Sequence, residues 1–331
     1  MKTRLLRKER IGKKKRLTRI ILFVLICGGV IIGIHHFNSS KIASKEAVLS
    51  TLTQAPPIIL PELPITEEKN ASDPENSTGL TTAVEDALIG TEGSYGIVIK
   101  NLNTNEWFGK NAHHSYKAGS LYKLWVLAAV YQQIQEGKLH KEMRLSEQVT
   151  VLNKKFEIAP QYAEKKEGTV SYTIGEALDQ MITISDNYAA LLLLNKIGTP
   201  SIVNFLKAQG FSESKTGVLG KAPVTSPFDM SQYFEKLVQG KLANEVSTTE
   251  MLSLLKRQKL NEKMPKYIPD EIVIAHKTGE LDEVTHDAGI VYEPRGEYIF
   301  VALSESDSRE QANERIANVS KNVYEYFSTE D

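Results

Sequence analysis

Cysteine is nearly absent from this sequence. Cys27 is the single one in 331 residues, which excludes an intramolecular disulfide and a cysteine-based zinc finger. Net charge is nearly absent too. The 40 Lys and Arg against 41 Asp and Glu give −1, which argues against a nucleic-acid partner. There is no internal repeat. With 41% apolar and 24% charged residues, the chain is neither wholly disordered nor collagen-like. His35-His36 and His113-His114 are adjacent pairs, whose side chains diverge on a strand, and no further ligand completes a zinc site. No metal and no cofactor are expected.

The charge that is present is unevenly placed. Residues 1–19 hold ten Lys or Arg and one acid, Glu9, and no charged residue occurs from Ile20 to Phe37. The remainder carries 30 bases and 40 acids, a balance of −10. A basic tail before an apolar run of this length predicts a transmembrane anchor over residues 20–37. The cations place residues 1–19 in the cytoplasm and everything after Phe37 outside. A cleaved signal peptide would need small residues after the run, where His35-His36-Phe37-Asn38 stands. A lipoprotein would use Cys27, but Ile26 precedes it and the run continues past it. The anchor fits best of the three.

Residues 38–80 contain five of the twelve prolines and much Ser, Thr, Asn and Glu, the composition of an extended stalk. Residues 81–331 are long enough for one large domain. Patterning predicts helices over Thr81–Ile89, Ser120–Gln135, Thr173–Ile184, Tyr188–Ile197, Pro200–Gln209 and Glu310–Phe327. Strands are predicted over Tyr95–Lys100, Glu106–Gly109, Glu271–His276, Ala288–Tyr292 and Tyr298–Leu303. Strands at both ends and helices between them imply an α+β domain, with one sheet built from both ends and a helical insertion.

Three short motifs stand in order: Ser120-Leu121-Tyr122-Lys123, Ser185-Asp186-Asn187 and Lys277-Thr278-Gly279. A serine hydroxyl needs a base within reach to become a nucleophile. Ser and Lys three apart on a helix share a face, and a lysine buried near other cations loses its proton more easily. A serine in the first helical turn also has a free backbone N–H, a donor suited to a developing oxyanion. Each motif alone is weak. Ser212-Glu213-Ser214-Lys215 and Lys215-Thr216-Gly217 repeat two of them, but in a polar loop without the long helix or the leading strand. Context makes residues 212–217 a decoy.

With that context, residues 81–328 resemble the class A β-lactamase and penicillin-binding serine hydrolase family. The segments Thr173–Leu178, Ala189–Leu193 and Asp287–Val291 around the motifs resemble the family's as well. The resemblance implies a β-lactamase-like fold, with an antiparallel sheet flanked by helices and a helical subdomain. It makes Ser120 the acylated nucleophile, Lys123 its base or proton relay, and Ser185 the donor to the leaving nitrogen. Asn187 would bind the substrate's side-chain amide; Lys277 and Thr278, followed by Gly279, would hold its carboxylate. The backbone N–H groups of Ser120 and Glu280 would form the oxyanion hole. The implied partner is a β-lactam or a peptidoglycan peptide, and the implied place is the bacterial cell membrane, with the catalytic domain outside.

Two departures stand out. The family clears its acyl-enzyme with a glutamate-activated water, from a loop between Ser-Asp-Asn and a Thr-x-Pro segment, here Thr225-Ser226-Pro227. The only carboxylate between Asn187 and Pro227 is Glu213, which reads as a surface charge. Acylation followed by slow release is therefore expected. His286 stands near where many class A enzymes keep an arginine for the substrate carboxylate. It reads equally as a substrate ligand or as a satisfied histidine between strands. Glu280, an acid beside an anionic substrate, repels it. His286 and Glu280 both hint that the native substrate is not an ordinary penicillin. A slow domain that binds wall fragments is the competing function; a vestigial structural protein is disfavoured because all three motifs are intact.

Overall fold

The computed structural model describes residues 73–217 and 221–329. The predicted tail, the anchor and the stalk up to residue 72 lie outside the described residues.

The chain enters through helix α1 (Thr78–Leu88), which begins inside the range read as stalk. Ser77 caps it, its hydroxyl accepting from the Leu80 N–H. Strands β1 (Ser94–Asn101) and β2 (Trp107–Lys110) follow, then β3 (Tyr116–Lys117). A 3-10 turn over Gly119–Leu121 leads into helix α2 (Tyr122–Gln135). Sequence patterning assigns no element to residues 136–172, where the structure has a hairpin. Its strands are β4 (Arg144–Gln148) and β5 (Thr169–Thr173), with helix α3 (Val149–Lys155) and a loop over 156–168 between them.

Four helices continue the insertion: α4 (Ile174–Thr183), α5 (Asn187–Ile197), α6 (Thr199–Gln209) and, after the short β6 (Val224–Thr225), α7 (Pro227–Val238). Helix α8 (Glu245–Lys256) completes it. Local chemistry fixes their starts. Thr173 and Glu176 exchange side-chain-to-backbone hydrogen bonds at the head of α4, a capping box worth about 1 kcal/mol. Ser226 caps α7 ahead of Pro227, whose ring suits a first helical position. The chain closes with β7 (Val273–Leu281), β8 (Val284–Glu293), β9 (Gly296–Glu305) and helix α9 (Arg309–Thr329).

The main sheet has the order β2-β1-β9-β8-β7 and is antiparallel throughout. Two strands come from the beginning of the domain and three from its end. Alternation along β1 and β9 divides the core in two. Ile97, Ile99, Tyr298 and Phe300 pack with Leu80 and Val84 of α1 and Ile316, Val319 and Val323 of α9. Val98, Ile299, Val301 and Leu303 pack with Leu124, Leu127, Met181 and Met230 of the helical insertion. The sheet is thus covered on both faces, and its β7 edge stays beside the start of α2. The third motif lies inside β7, not after a strand ending at His276 as patterning predicts.

Candidate active site

Three segments distant in sequence meet at that edge. Gly119, just before Ser120, has φ +51°, a left-handed value that suits glycine. A Cβ there would lie 2.8 Å from the backbone nitrogen of Glu280. Its absence lets the turn that carries Ser120 touch the backbone of β7. Ser120 is half-buried, and its Oγ has no hydrogen-bond partner among the described residues.

One turn along α2, Lys123 is fully buried. Its Nζ donates to Ser185 O at 2.5 Å, to Asn187 Oδ1 at 2.7 Å and to Ser185 Oγ at 3.1 Å. Lys277, also fully buried, donates from the other side to Ser185 Oγ at 3.0 Å and to Thr278 O at 2.8 Å. The Ser185 hydroxyl therefore sits between two lysines. Its backbone has φ +60°, a conformation that costs a non-glycine residue about 1–3 kcal/mol. The turn is held by Asp186, whose carboxylate caps α5 by accepting from Ala189 N–H at 2.6 Å.

Burial dominates the electrostatics. It pushes the Lys123 ammonium down to about 7, against a smaller opposing pull from Asp186 and Glu164. Burial, then the nearby Lys123 charge, holds Lys277 well below the usual lysine range. Near pH 7, Lys123 can accept a proton, and its hydrogen bond joins it to the Ser185 hydroxyl.

Asn187 is oriented from both ends. Its Oδ1 accepts from Lys123, and its Nδ2 donates to Glu164 Oε1 at 2.6 Å. Glu164 comes from the loop over 156–168, upstream of the motif, and nothing in the sequence pattern marks it.

The side chain of Glu280 is neutralised. Its carboxylate meets Lys263 Nζ at 2.8 Å and Arg309 at 3.4 Å. The expected repulsion of an anionic substrate by Glu280 is thereby corrected. Lys263 is buried beside the site, and the sequence reading passes it over. Asp287 fixes that segment, accepting from Met264 N–H at 3.0 Å and pairing with His276 Nδ1 at 2.8 Å.

His286 does not join the constellation. It is fully buried opposite Gly279, its Nε2 meets Lys117 O at 2.8 Å, and its Nδ1 accepts from Ser304 N–H at 3.1 Å. Burial pushes it down to about 4, so it is neutral at ordinary pH. Of its two readings, this geometry supports the satisfied histidine between strands, and with both ring nitrogens engaged none is left for a substrate carboxylate. Glu213 is not a plain surface charge either. It is half-buried, meets His113 Nδ1 at 2.7 Å and accepts from the Ser226 hydroxyl. None of these partners belongs to the three motifs. Ser212 and Lys215 lie in the loop after α6, where Lys215 bridges to Val224.

Comparison with known proteins gives the family and the fold. A profile of the beta-lactamase enzyme family matches residues 79–327, and the chain belongs to that family, whose members are β-lactamase-like serine hydrolases. Among curated relatives, Beta-lactamase VEB-1 of Pseudomonas aeruginosa is 26% identical over 285 residues, covering 75% of this chain and 90% of that protein. Extended-spectrum beta-lactamase PER-1 of the same organism is 25% identical, covering 75% and 87%. Among solved structures, a beta-lactamase from Sphaerobacter thermophilus superposes with TM-score 0.67 at 22% identity, over 76% of this chain and 98% of that one. The protein PBP-A does so with TM-score 0.67 at 24% identity, over 78% and 99%. The observed domain is the β-lactamase-like α+β fold, an antiparallel sheet with helices on both faces.

Proposed function

We propose that the protein is a membrane-anchored serine acyl-enzyme acting on β-lactams or D-alanyl cell-wall peptides, with slow deacylation. The observation that carries this reading is the Ser185 hydroxyl held between Lys123 and Lys277, with Lys123 one helical turn along from the Ser120 hydroxyl. Neutral Lys123 takes the Ser120 proton as Oγ attacks the acyl carbon. The backbone N–H groups of Ser120 and Glu280 receive the oxyanion. The carbon–nitrogen bond then breaks, and Ser185 hands the nitrogen a proton that Lys123 replaces. A β-lactam stays attached whole, because its nitrogen remains within the same molecule; a D-alanyl peptide loses its terminal residue. PBP-A supports the reading by analogy, since one of its mutants is described as an acyl-enzyme complex with penicillin G.

Slow release follows from the contacts. Among the described residues, the carboxylate hydrogen-bonded to the motif side chains is Glu164, and it is engaged with Asn187. Residues 20–37 would hold the domain at the outer face of the membrane.

The test is intact mass of the full chain after mixing with benzylpenicillin, with Ser120→Ala alongside. A lasting adduct on the wild type alone is expected. Turnover above about 10 s⁻¹, the general median for enzymes, would overturn slow deacylation. An adduct on Ser120→Ala would overturn the nucleophile.

A further inference from the structure

Ser212, Ser214, Lys215 and Thr216, from the segment that repeats two motifs outside the active site, form one wall of a groove beside α6. Its volume is about 420 Å³, within the range of small-molecule sites. The floor is apolar, made by Val203, Leu206 and Phe211. Val203 stands 47% exposed. The wall is fixed from behind at three successive residues. The buried Asp229 carboxylate accepts from the N–H groups of Glu213 at 3.0 Å and Ser214 at 2.7 Å. Ser214 Oγ meets Thr225 Oγ1 at 2.8 Å, and Lys215 exchanges backbone hydrogen bonds with Val224 at 2.9 and 3.0 Å. The groove is thus formed in advance of any ligand.

Its rim is cationic and uncompensated. Lys207 and Lys215 line the groove and are exposed, and their ammonium groups have no ion pair or hydrogen bond among the described residues. The hydroxyls of Ser212 and Thr216 have no partner there either. Glu213 is the only acid from Thr199 to Gly217, and its carboxylate is taken by His113 and the Ser226 hydroxyl. A third cation, Lys236, lies 5.1 Å from the centre of the Phe211 ring. A cationic ligand would be repelled by this rim. A wholly apolar one would use the floor and none of the donors. An apolar chain ending in an anion uses both.

We propose that this groove binds a small amphiphilic carboxylate, its chain on Val203, Leu206 and Phe211 and its carboxylate taken by Lys207 and Lys215. None of the lining residues belongs to the three motifs, and the inference does not depend on the acyl-enzyme reading.

The test uses the full chain in phosphatidylcholine nanodiscs and three probes with one tail: octanoate, octanamide and octylammonium. Affinities are measured by calorimetry near pH 7, with protein-free discs as the blank. The wild type should hold octanoate about tenfold more tightly than octanamide, the scale of two exposed ion pairs, and octylammonium most weakly. The double variant Lys207→Glu/Lys215→Glu should reverse that order. Val203→Asp should weaken octanoate as well, by placing a like charge on the floor. All three positions are exposed, so melting temperatures should be unchanged. No octanoate binding, or no preference over octanamide, overturns the inference. Affinities indifferent to these substitutions place the ligand elsewhere and overturn it too. Octanoate binding that disappears when the discs carry phosphatidylglycerol hands the groove to a lipid headgroup and overturns the free carboxylate.

Discussion

The burial of Lys123 sets a pH dependence that can be worked out in advance. An ordinary lysine near 10.5 is neutral in about 3 of every 10,000 molecules at pH 7. Lowered to about 7, it is neutral in about half. Burial thus enriches the base on the order of a thousandfold, the equivalent of about 5 kcal/mol between its two protonation states. If neutral Lys123 takes the Ser120 proton, the acylation rate follows that fraction. It should rise about tenfold from pH 6 to pH 8 and level off above. Stopped-flow or quenched-flow acylation by a single β-lactam from pH 5.5 to 9 measures it directly. A flat profile, or an inflection above pH 9, would refute the assignment of Lys123 as base. The same burial has a thermodynamic side. The folded-state value lies below the unfolded one, so between about pH 7 and 10.5 the unfolded chain binds more protons, and this group's contribution to stability rises with pH over that window. Below pH 7 its cost is felt in full. Lys123→Met should therefore abolish acylation and raise the melting temperature, by about 1–4 kcal/mol of stability. A lower melting temperature would show that its hydrogen bonds to Ser185 and Asn187 outweigh the buried charge.

Other expectations concern the walls of the site. Gly119→Ala should slow acylation about a hundredfold, the scale of losing one oxyanion donor, because its Cβ meets Glu280 N at 2.8 Å; unchanged kinetics would show that the turn can yield. Lys263→Met should slow reaction with anionic β-lactams about tenfold by uncovering the Glu280 charge, and adding Glu280→Gln should restore it; failure of the double variant to recover would break that chain of cause. His286 is held near 4 against an ordinary 6.5, so stability should fall as pH drops through that interval, by up to about 3 kcal/mol. Thermal melts of wild type and His286→Gln should differ in slope there; parallel slopes would mean another group titrates.

Much of this was legible in residue order. The sheet could be anticipated because β-rich, turn-bounded runs cluster at the two ends of the domain, and the motifs could be ranked because Ser120 opens an apolar helix while Ser212 does not. What failed were inferences from spacing along one strand. Counting from Lys277 places His286 near a carboxylate, yet its ring nitrogens are consumed by Lys117 O and Ser304 N–H, the first of them 169 residues away. Lys263 carried no signal because a lone lysine in a polar stretch looks solvated; its burial depends on Asp287 anchoring Met264. Glu164 was invisible for another reason. The expected carboxylate belongs downstream of Asn187, whereas the one that reaches Asn187 arrives from upstream, on a loop steered by Tyr188.

The sheet order also bears on when the site comes into being. β1 pairs with β9, whose partners stand 197 to 211 residues later in the chain, and β7, which carries Lys277, is held through β8 by β9. Chain synthesis delivers Ser120, Lys123 and Ser185 long before these strands exist. Until then Lys123 lacks the sheet edge beside it, and Ser185 lacks its second lysine. Pairings of such long range close slowly, because the loop entropy is lost before the contacts form. On the proposed function, a nascent or C-terminally clipped chain therefore holds the nucleophile without its machinery. If the chain is the acyl-enzyme proposed, covalent reactivity toward an acyl donor becomes a report on completed folding, switched on by the last strands to dock.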